Sequence, residues 1–250
     1  MRISYLTLFP SFFNEFKNTS IIKKAIDKGI VSLETYDLKD YVSNGRVDDK
    51  IVGGGRGNLI RYDVVSEALK SIKKENSKVI LVTPKGRVFN QHLAGELSHF
   101  DDLVFICPHF EGVDARIEDE VDFCISLGDY ILTGGELASQ VISDSLIRLI
   151  NGVISSDSLK EETFNDDLIE YKQYTLPRVY NNKSIPEIYF SGNHNAIRDY
   201  KLKQSLLETK KLRPDLYKKH KLSDEEKMVM KKCSKKWEKE IVSKAKSKKN

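Results

Sequence analysis

Apolar positions recur along the chain with two periods, and the alternation between them sets the expected elements. Residues 5–9 (YLTLF) read as a strand, and a helix follows with Ile21, Ile22, Ala25 and Ile26 turned inward. Residues 31–36 alternate again. Beyond a glycine-rich stretch, Val64, Val65, Ala68, Leu69 and Ile72 repeat at helical spacing over 62–74. Residues 78–84 (KVILVTP) form an apolar run closed by Pro84, a helix is expected around 93–97, and 103–108 (LVFICP) is a second such run. Residues 124–132 read as a third strand and 137–150 as a helix. Strands that alternate with helices, and are apolar throughout, predict an α/β fold with a mostly parallel sheet covered by helices on both faces.

From 151 to about 175 the pattern breaks. The segment NGVISSDSLKEETFNDDLIEYKQYT is polar, acidic and rich in turn formers, so it is expected to be a long loop or linker. A helix is expected over 196–207, and RPDLY leads into a Lys-rich helix at the end. No internal repeat is present.

One stretch resists the strand reading. In SLGDYILTGGE (126–136), Gly128 and Asp129 interrupt a β-like run that stops on Gly134 and Gly135. Glycine and aspartate both weaken a core strand, so the backbone here is expected to approach something closely. Glycines also cluster at 53–57 and follow Glu111. The G-x-G-x-x-G dinucleotide signature, the P-loop, H-E-x-x-H and G-x-S-x-G are all absent, which removes the commonest dehydrogenase, kinase, zinc-protease and α/β-hydrolase readings. What remains is three loops, each just after an apolar run: TPKGR (83–87), PHFEGVD (108–114) and LGDYILTGGE (127–136). In open α/β sheets the ligand crevice lies at the carboxyl ends of the strands. Any one loop reads as an ordinary tight turn; the three together point to a flat, polar, adenine-like ligand read by main chain.

Of the 250 residues, 40% are hydrophobic and 31% charged, which describes a soluble globular protein. No apolar run reaches the roughly 18 to 20 residues of a membrane span, and MRISYLTLFPSFF does not have the pattern of a signal peptide. Cys107, Cys124 and Cys233 are scattered, which argues against a disulfide framework or zinc site and suits a reducing cytoplasm. The net charge of +4 hides an asymmetry: residues 201–250 carry 18 Lys and Arg against 7 Asp and Glu, whereas the first 200 carry 23 against 30. The basic end reads equally as a solubilising tail or as a contact for a polyanion.

The motifs LTLFPSFF, RVDDKIVGGGRG (46–57), VTPKGR (82–87), FEGVDARI (110–117), SLGDYILTGGE (126–136), FNDDLIEYKQYT (164–175), SGNHNAI (191–197) and RPDLY (213–217) occur in this order along nearly the whole chain. Together they resemble the bacterial tRNA (guanine-N-1) methyltransferases, members of the trefoil-knot methyltransferase superfamily. The resemblance implies a deep C-terminal trefoil knot in a methyltransferase domain over 1–154, a flexible linker over 155–175 and a small helical tRNA-binding domain over 176–250. It also implies a cytoplasmic homodimer acting on the anticodon arm of tRNA, with no DNA or membrane partner. The methyl donor would be S-adenosylmethionine; whether Mg2+ takes part is not readable from the residues.

Carried over by position, the resemblance assigns the cofactor to Thr83, Pro84, Pro108, Phe110, Glu111, Leu127, Gly128, Asp129, Tyr130, Ile131, Leu132, Gly134 and Gly135. Methylating N-1 of guanine requires a base for its proton and a cation or donor at the guanine oxygen. The family's linker carboxylate falls on Glu162, with Glu161 or Asp166 as substitutes, and its arginine falls on Arg148. Asp48, Gly55, His109, Ser191, Asn193 and His194 are the implied substrate contacts, although Asp48 also reads as a turn acid and Ser191 or Asn193 as a helix cap. Glu162 replaces the usual aspartate. Pro108, His109 and Phe110 stand where the family has Gly, Arg and Tyr, Leu176 replaces an arginine, and Arg56 takes the place of a small residue. These departures keep two alternatives open: methylation of another RNA, or a protein that binds cofactor and RNA with impaired catalysis.

Overall fold

A computed structural model describes residues 1–43, 45–155, 168–233 and 235–247. The chain forms two compact units, Met1–Ser156 and Asp157–Asn250. The first contains strands β1 (Arg2–Thr7), β2 (Ser32–Asp37), β3 (Asp48–Lys50), β4 (Asn58–Ile60), β5 (Lys78–Val88), β6 (Asp102–Ile106) and β7 (Phe123–Ser126). Its helices are α1 (Asn14–Asn18), α2 (Ser20–Asp27), α3 (Tyr62–Ile72), α4 (Gln91–Leu97) and α5 (Glu136–Ile147). Five strands make one sheet in the order β2-β1-β6-β5-β7, and every pairing is parallel.

Successive strand side chains point to opposite faces, and both faces are apolar. Ile3, Tyr5, Ile80, Val82, Leu103 and Phe105 meet helices α2, α4 and α5 in one core. Their neighbours Leu6, Val79, Leu81, Val104 and Ile106 meet α3 in the other. This two-faced burial is what the continuous apolar runs require, and it matches the expected α/β sheet. Arg2 ties the far ends together: its guanidinium donates to Asp102 of β6 at 2.8 and 3.1 Å and to the Ile72 carbonyl of α3 at 2.8 Å.

Four expectations need correction. The first strand is Arg2–Thr7 and stops before Phe9 because Pro10 opens a 3-10 turn. Ile21 is 40% exposed; only Ile22 and Ala25 of α2 are buried, with Ile26 packed beside them. β5 does not end at Pro84. Val82 and Arg87 both pair with Ile125, so residues 83–86 bulge out and the strand then rejoins β7. A proline has no amide for the ladder and is tolerated in such a bulge. Finally, β7 ends at Ser126, six residues short of the expected limit. Ile131 is 80% and Tyr130 55% exposed, so this β-like composition serves a loop.

The second unit holds a hairpin of β8 (Val179–Tyr180) and β9 (Lys183–Ser184), then α6 (His194–Leu212), α7 (Pro214–Lys219), α8 (Asp224–Lys232) and α9 (Lys235–Ser247). Asn193 caps α6 by accepting the Ala196 amide at 3.1 Å, and Ser223 with Glu226 forms a capping box on α8. A small core of Ile188, Ala196 and Tyr200 packs with Trp237, Ile241 and Val242 of α9.

Candidate cofactor and substrate site

The β5 bulge, the loop after β6 and the loop after β7 converge on one cavity of about 230 Å³ in the first unit. Of the cofactor candidates, Thr83, Pro84, Pro108, Phe110, Glu111, Leu127, Gly128, Tyr130, Ile131, Leu132, Gly134 and Gly135 line it, and so does His109. Asp129 does not; it sits on the exposed side of its loop. Gly112 and Thr133, inside the ligand loops named from sequence but not among the assigned contacts, also line the cavity, as do Val82, Ser126 and Ala138, which sequence reasoning missed. Val82 and Ser126 adjoin the same loops and Ala138 lies in the first turn of α5, so contiguity was the available signal.

The glycines are required where backbones touch. Gly135 donates to the Pro108 carbonyl at 2.8 Å, joining the loops after β6 and β7. A Cβ there would stand 2.7 Å from Cys107 Cα and 2.7 Å from Pro108 Cδ. At Gly134 a Cβ would meet His109 Nδ1 at 2.8 Å and collide with Glu136 Oε2. The apolar share of the wall comes from Phe110, Tyr130, Ile131 and Leu132, all substantially exposed. Phe110 adopts φ +57°, a strained conformation for a side-chain-bearing residue and one that clusters at functional sites. Residues 129–133 join no ladder, and although the Tyr130 amide donates to the Gly128 carbonyl at 2.9 Å, other main-chain groups of this loop remain outside the sheet's pairing.

Glu136, at the start of α5, is buried and accepts a hydrogen bond from the Thr7 hydroxyl at 2.7 Å. Thr7 Oγ1 in turn accepts the Phe9 amide at 2.9 Å. The carboxylate therefore links β1 to the end of the glycine loop, and the helix N-terminus favours its charge. Cys107 lies against Gly135 and does not line the cavity; burial pushes its thiol far above the usual range. A thiol held protonated is packing material. Among the described residues, no group of three or more His, Cys, Asp and Glu is arranged to hold a metal ion.

An antiparallel arm, β3 paired with β4, leans on the wall of the cavity. Ile60 donates to the Gly112 carbonyl at 2.9 Å and accepts from Asp114 at 3.0 Å, and Glu111 donates to the Asn58 carbonyl at 3.1 Å. Asp48 sits in this arm with a buried side chain and both oxygens engaged. Arg46 donates at 3.1 and 3.0 Å, and Asn58 at 2.5 Å. The hydrogen bonds from Arg46, then from Asn58, hold the Asp48 carboxyl below the usual range. Gly55 adopts φ +148° in the glycine loop of this arm and does not line the cavity.

The remaining candidates are not gathered here. Arg148 is half-buried just past the C-terminal end of α5. At a rise of ~1.5 Å per residue it lies about 20 Å of helix from Gly135, and it does not line the cavity. Glu162, Glu161 and Asp166 lie outside the described residues. In the second unit, Ser191 Oγ accepts the Asn193 amide at 3.2 Å, Asn193 caps α6, and exposed His194 begins that helix. Among the described residues, no helix is long and apolar enough to cross a membrane.

Comparison with known proteins gives a consistent result. A family model described as tRNA (Guanine-1)-methyltransferase TrmD matches residues 1–219. A tRNA (guanine-N(1)-)-methyltransferase of Clostridium botulinum (strain Kyoto / Type A2) is 47% identical over 240 residues, covering 94% of this chain and 100% of the relative. Proteins of the same description from Mycoplasmopsis synoviae (strain 53) and Malacoplasma penetrans (strain HF-2) are each 45% identical over 219 residues. Those matches cover 86% and 87% of this chain, and 96% and 97% of the relatives.

Proposed function

Because the chain belongs to the tRNA (guanine-1)-methyltransferase family, we propose that it transfers a methyl group from S-adenosylmethionine to N-1 of the guanosine immediately 3′ of the tRNA anticodon. The observation that carries this reading is the convergence of three glycine-bearing loops on one cavity. Residues lining that cavity fit the donor in kind. Gly134 and Gly135 leave no room for side chains, which suits a ligand held by main chain, and Phe110, Tyr130, Ile131 and Leu132 offer apolar faces for a flat ring. When bound, the sulfonium supplies an electrophilic methyl group.

The protein's part in the chemistry is then proton transfer and charge stabilisation. Glu162 accepts the N-1 proton as the new N–C bond forms, and Arg148 donates to the guanine oxygen as charge develops there. Asp48, already fixed by Arg46 and Asn58, presents a rigid edge of the arm to the target guanosine. With Arg148 at the far end of α5, a second copy must bring its own Arg148 to this cavity, so the working form is a homodimer. An exposed apolar face supports that: Leu137 and Val141, one turn apart on α5, are 47% and 48% exposed, and Phe9 and Phe12 are 42% and 46% exposed.

Residues 1–154 constitute the knotted catalytic domain in this reading, 155–175 the linker that delivers Glu162, its end from Ile169 to Tyr174 packed on the second unit, and 176–250 the domain that grips the anticodon arm. The net +11 of residues 201–250 supports the last role. A cytoplasmic location follows from the substrate. Labelled S-adenosylmethionine incubated with an unmodified tRNA transcript should label N-1 of that guanosine, and a transcript with adenosine there should take none. Cofactor binding without label on either transcript would refute the proposal.

A further inference from the structure

The second unit contains a cavity of its own, of about 480 Å³, within the ~300 to 1,000 Å³ usual for ligand pockets. Its lining includes the rings of Tyr171, Tyr174, Tyr189 and Phe190, the cations Lys172 and Lys201, and no carboxylate among the described residues. The two lysines are not equivalent. Lys172 is neutralised by Glu208 at 3.0 Å. Lys201 donates to the Tyr171 hydroxyl at 2.8 Å and stands 4.4 Å from that ring's centroid. A phenol partner leaves the ammonium its full charge and two further donors.

The aromatic wall is braced from behind. Tyr189 stands edge-on to buried Tyr200 at 5.7 Å, and its hydroxyl donates to the Lys172 carbonyl at 3.2 Å. Tyr174 leans on Tyr189 at 5.5 Å and remains 46% exposed, so it has surface left to cover. Arg178 lies 3.9 Å over the Phe190 ring and adds a further cation beside the cavity. Aromatic faces for bases, with cations for the backbone, are the means by which proteins hold unpaired nucleotides.

We propose that this cavity takes one unstacked nucleotide of single-stranded RNA, its base against Tyr174 and Tyr189 and its phosphate on Lys201. The proposal deepens the tRNA reading, since it supplies a second hold on the same substrate apart from the methylated base. A pocket of this kind selects for an open loop over a paired stem, because only an unpaired base can leave its stack to enter.

The test uses the full-length protein and an anticodon stem-loop RNA carrying 2-aminopurine at one loop position at a time. Stacking on Tyr174 should quench the fluorophore at one position. Tyr174→Ala should abolish that quench and weaken binding about five- to 150-fold, from stacking energies of ~1–3 kcal/mol per base, while Tyr174→Phe retains both. Lys201→Gln should reduce the slope of log affinity against log salt by about 1. Helical circular dichroism and thermal melting of the same samples report that the second unit stays folded, and cofactor affinity, which belongs to the first unit, should not change. Unaltered RNA affinity in Tyr174→Ala, or no quench at any position, would overturn the proposal. Methyl transfer by the unmodified protein is measured separately: its failure would remove the enzymatic reading, while the quench still decides the pocket.

Discussion

The amide of Gly135 donates to the Pro108 carbonyl at 2.8 Å, and the two backbones are so close that a Cβ on Gly135 would stand 2.7 Å from Pro108 Cδ. This contact fixes the loop after β7 against the loop after β6 and so defines one wall of the cavity. Neither backbone has room to retreat, since Cys107 is fully buried beneath them. Gly135→Ala is expected to cost about 1–3 kcal/mol of stability through overpacking and to weaken S-adenosylmethionine binding at least tenfold. Thermal denaturation and calorimetric titration check the two effects. Ordinary cofactor affinity in a folded Gly135→Ala protein would show that this wall does not shape the site.

Glu136 tests whether the charge beneath the glycine loop matters or only its shape. Glu136→Gln keeps the size and can still accept from Thr7, but it removes the negative charge from the N-terminus of α5. The expected loss is about 1–2 kcal/mol, given the partly buried geometry. Thr7→Val should leave the carboxylate without its hydroxyl donor and cost a similar amount. Since both act on one hydrogen bond, the double variant should lose less than the sum of the two, and denaturant midpoints measure that coupling. Strict additivity would mean that Glu136 and Thr7 contribute independently.

The strands of the sheet were readable because their burial is uniform: Val79 to Val82 and Leu103 to Ile106 have no polar position to confuse. The same logic misread residues 127–132. Leu127, Tyr130, Ile131 and Leu132 have the composition of a strand, yet they form a loop with Ile131 80% exposed. Hydrophobicity shows that a side chain must be covered, but does not say whether protein or ligand covers it. The bulge at Pro84 was hidden for a different reason, since it depends on a register shift against β7 that involves a partner 41 residues away, at Ile125. The loops of the cavity were legible through their glycines, whereas the pairing of Asp48 with Arg46 and Asn58 depends on arm geometry that no local spacing encodes.

Asp48 gives a prediction in pH. Its carboxyl is held below the usual range, first by Arg46 and then by Asn58. A folded value below the unfolded one, ~4 for aspartate, adds stability above that pH, which is lost as pH falls through the folded value. The arm's attachment through Asp48 is therefore complete at neutral pH and weakens only in acid. Carbon-detected titration should find the Asp48 midpoint below that of an ordinary aspartate, and Arg46→Ala should raise it. A midpoint unmoved in Arg46→Ala would assign the shift to some other group.

The placement of Arg148 leads to a complementation experiment. Within one chain it lies about 20 Å along α5 from Gly135 and does not line its own cavity, so the proposed homodimer would have it act on the partner's cavity. Arg148→Ala alone should reduce methyl transfer by about 100-fold or more, as loss of a donor to a developing oxyanion does, with cofactor affinity retained. Gly135→Ala, assayed at cofactor concentrations too low to fill its weakened site, should be nearly inactive but keeps Arg148. When the two inactive proteins are unfolded together and refolded as an equal mixture, half of the dimers pair one chain of each kind. In those dimers the intact cavity of the Arg148→Ala chain faces the intact arginine of the Gly135→Ala chain, so one of the two sites is whole. Activity should return to about a quarter of the unmodified protein's level, as random pairing in a twofold dimer requires. A mixture no more active than its separate components would mean that Arg148 does not act across the dimer, and the exposed face of α5 would then need another explanation.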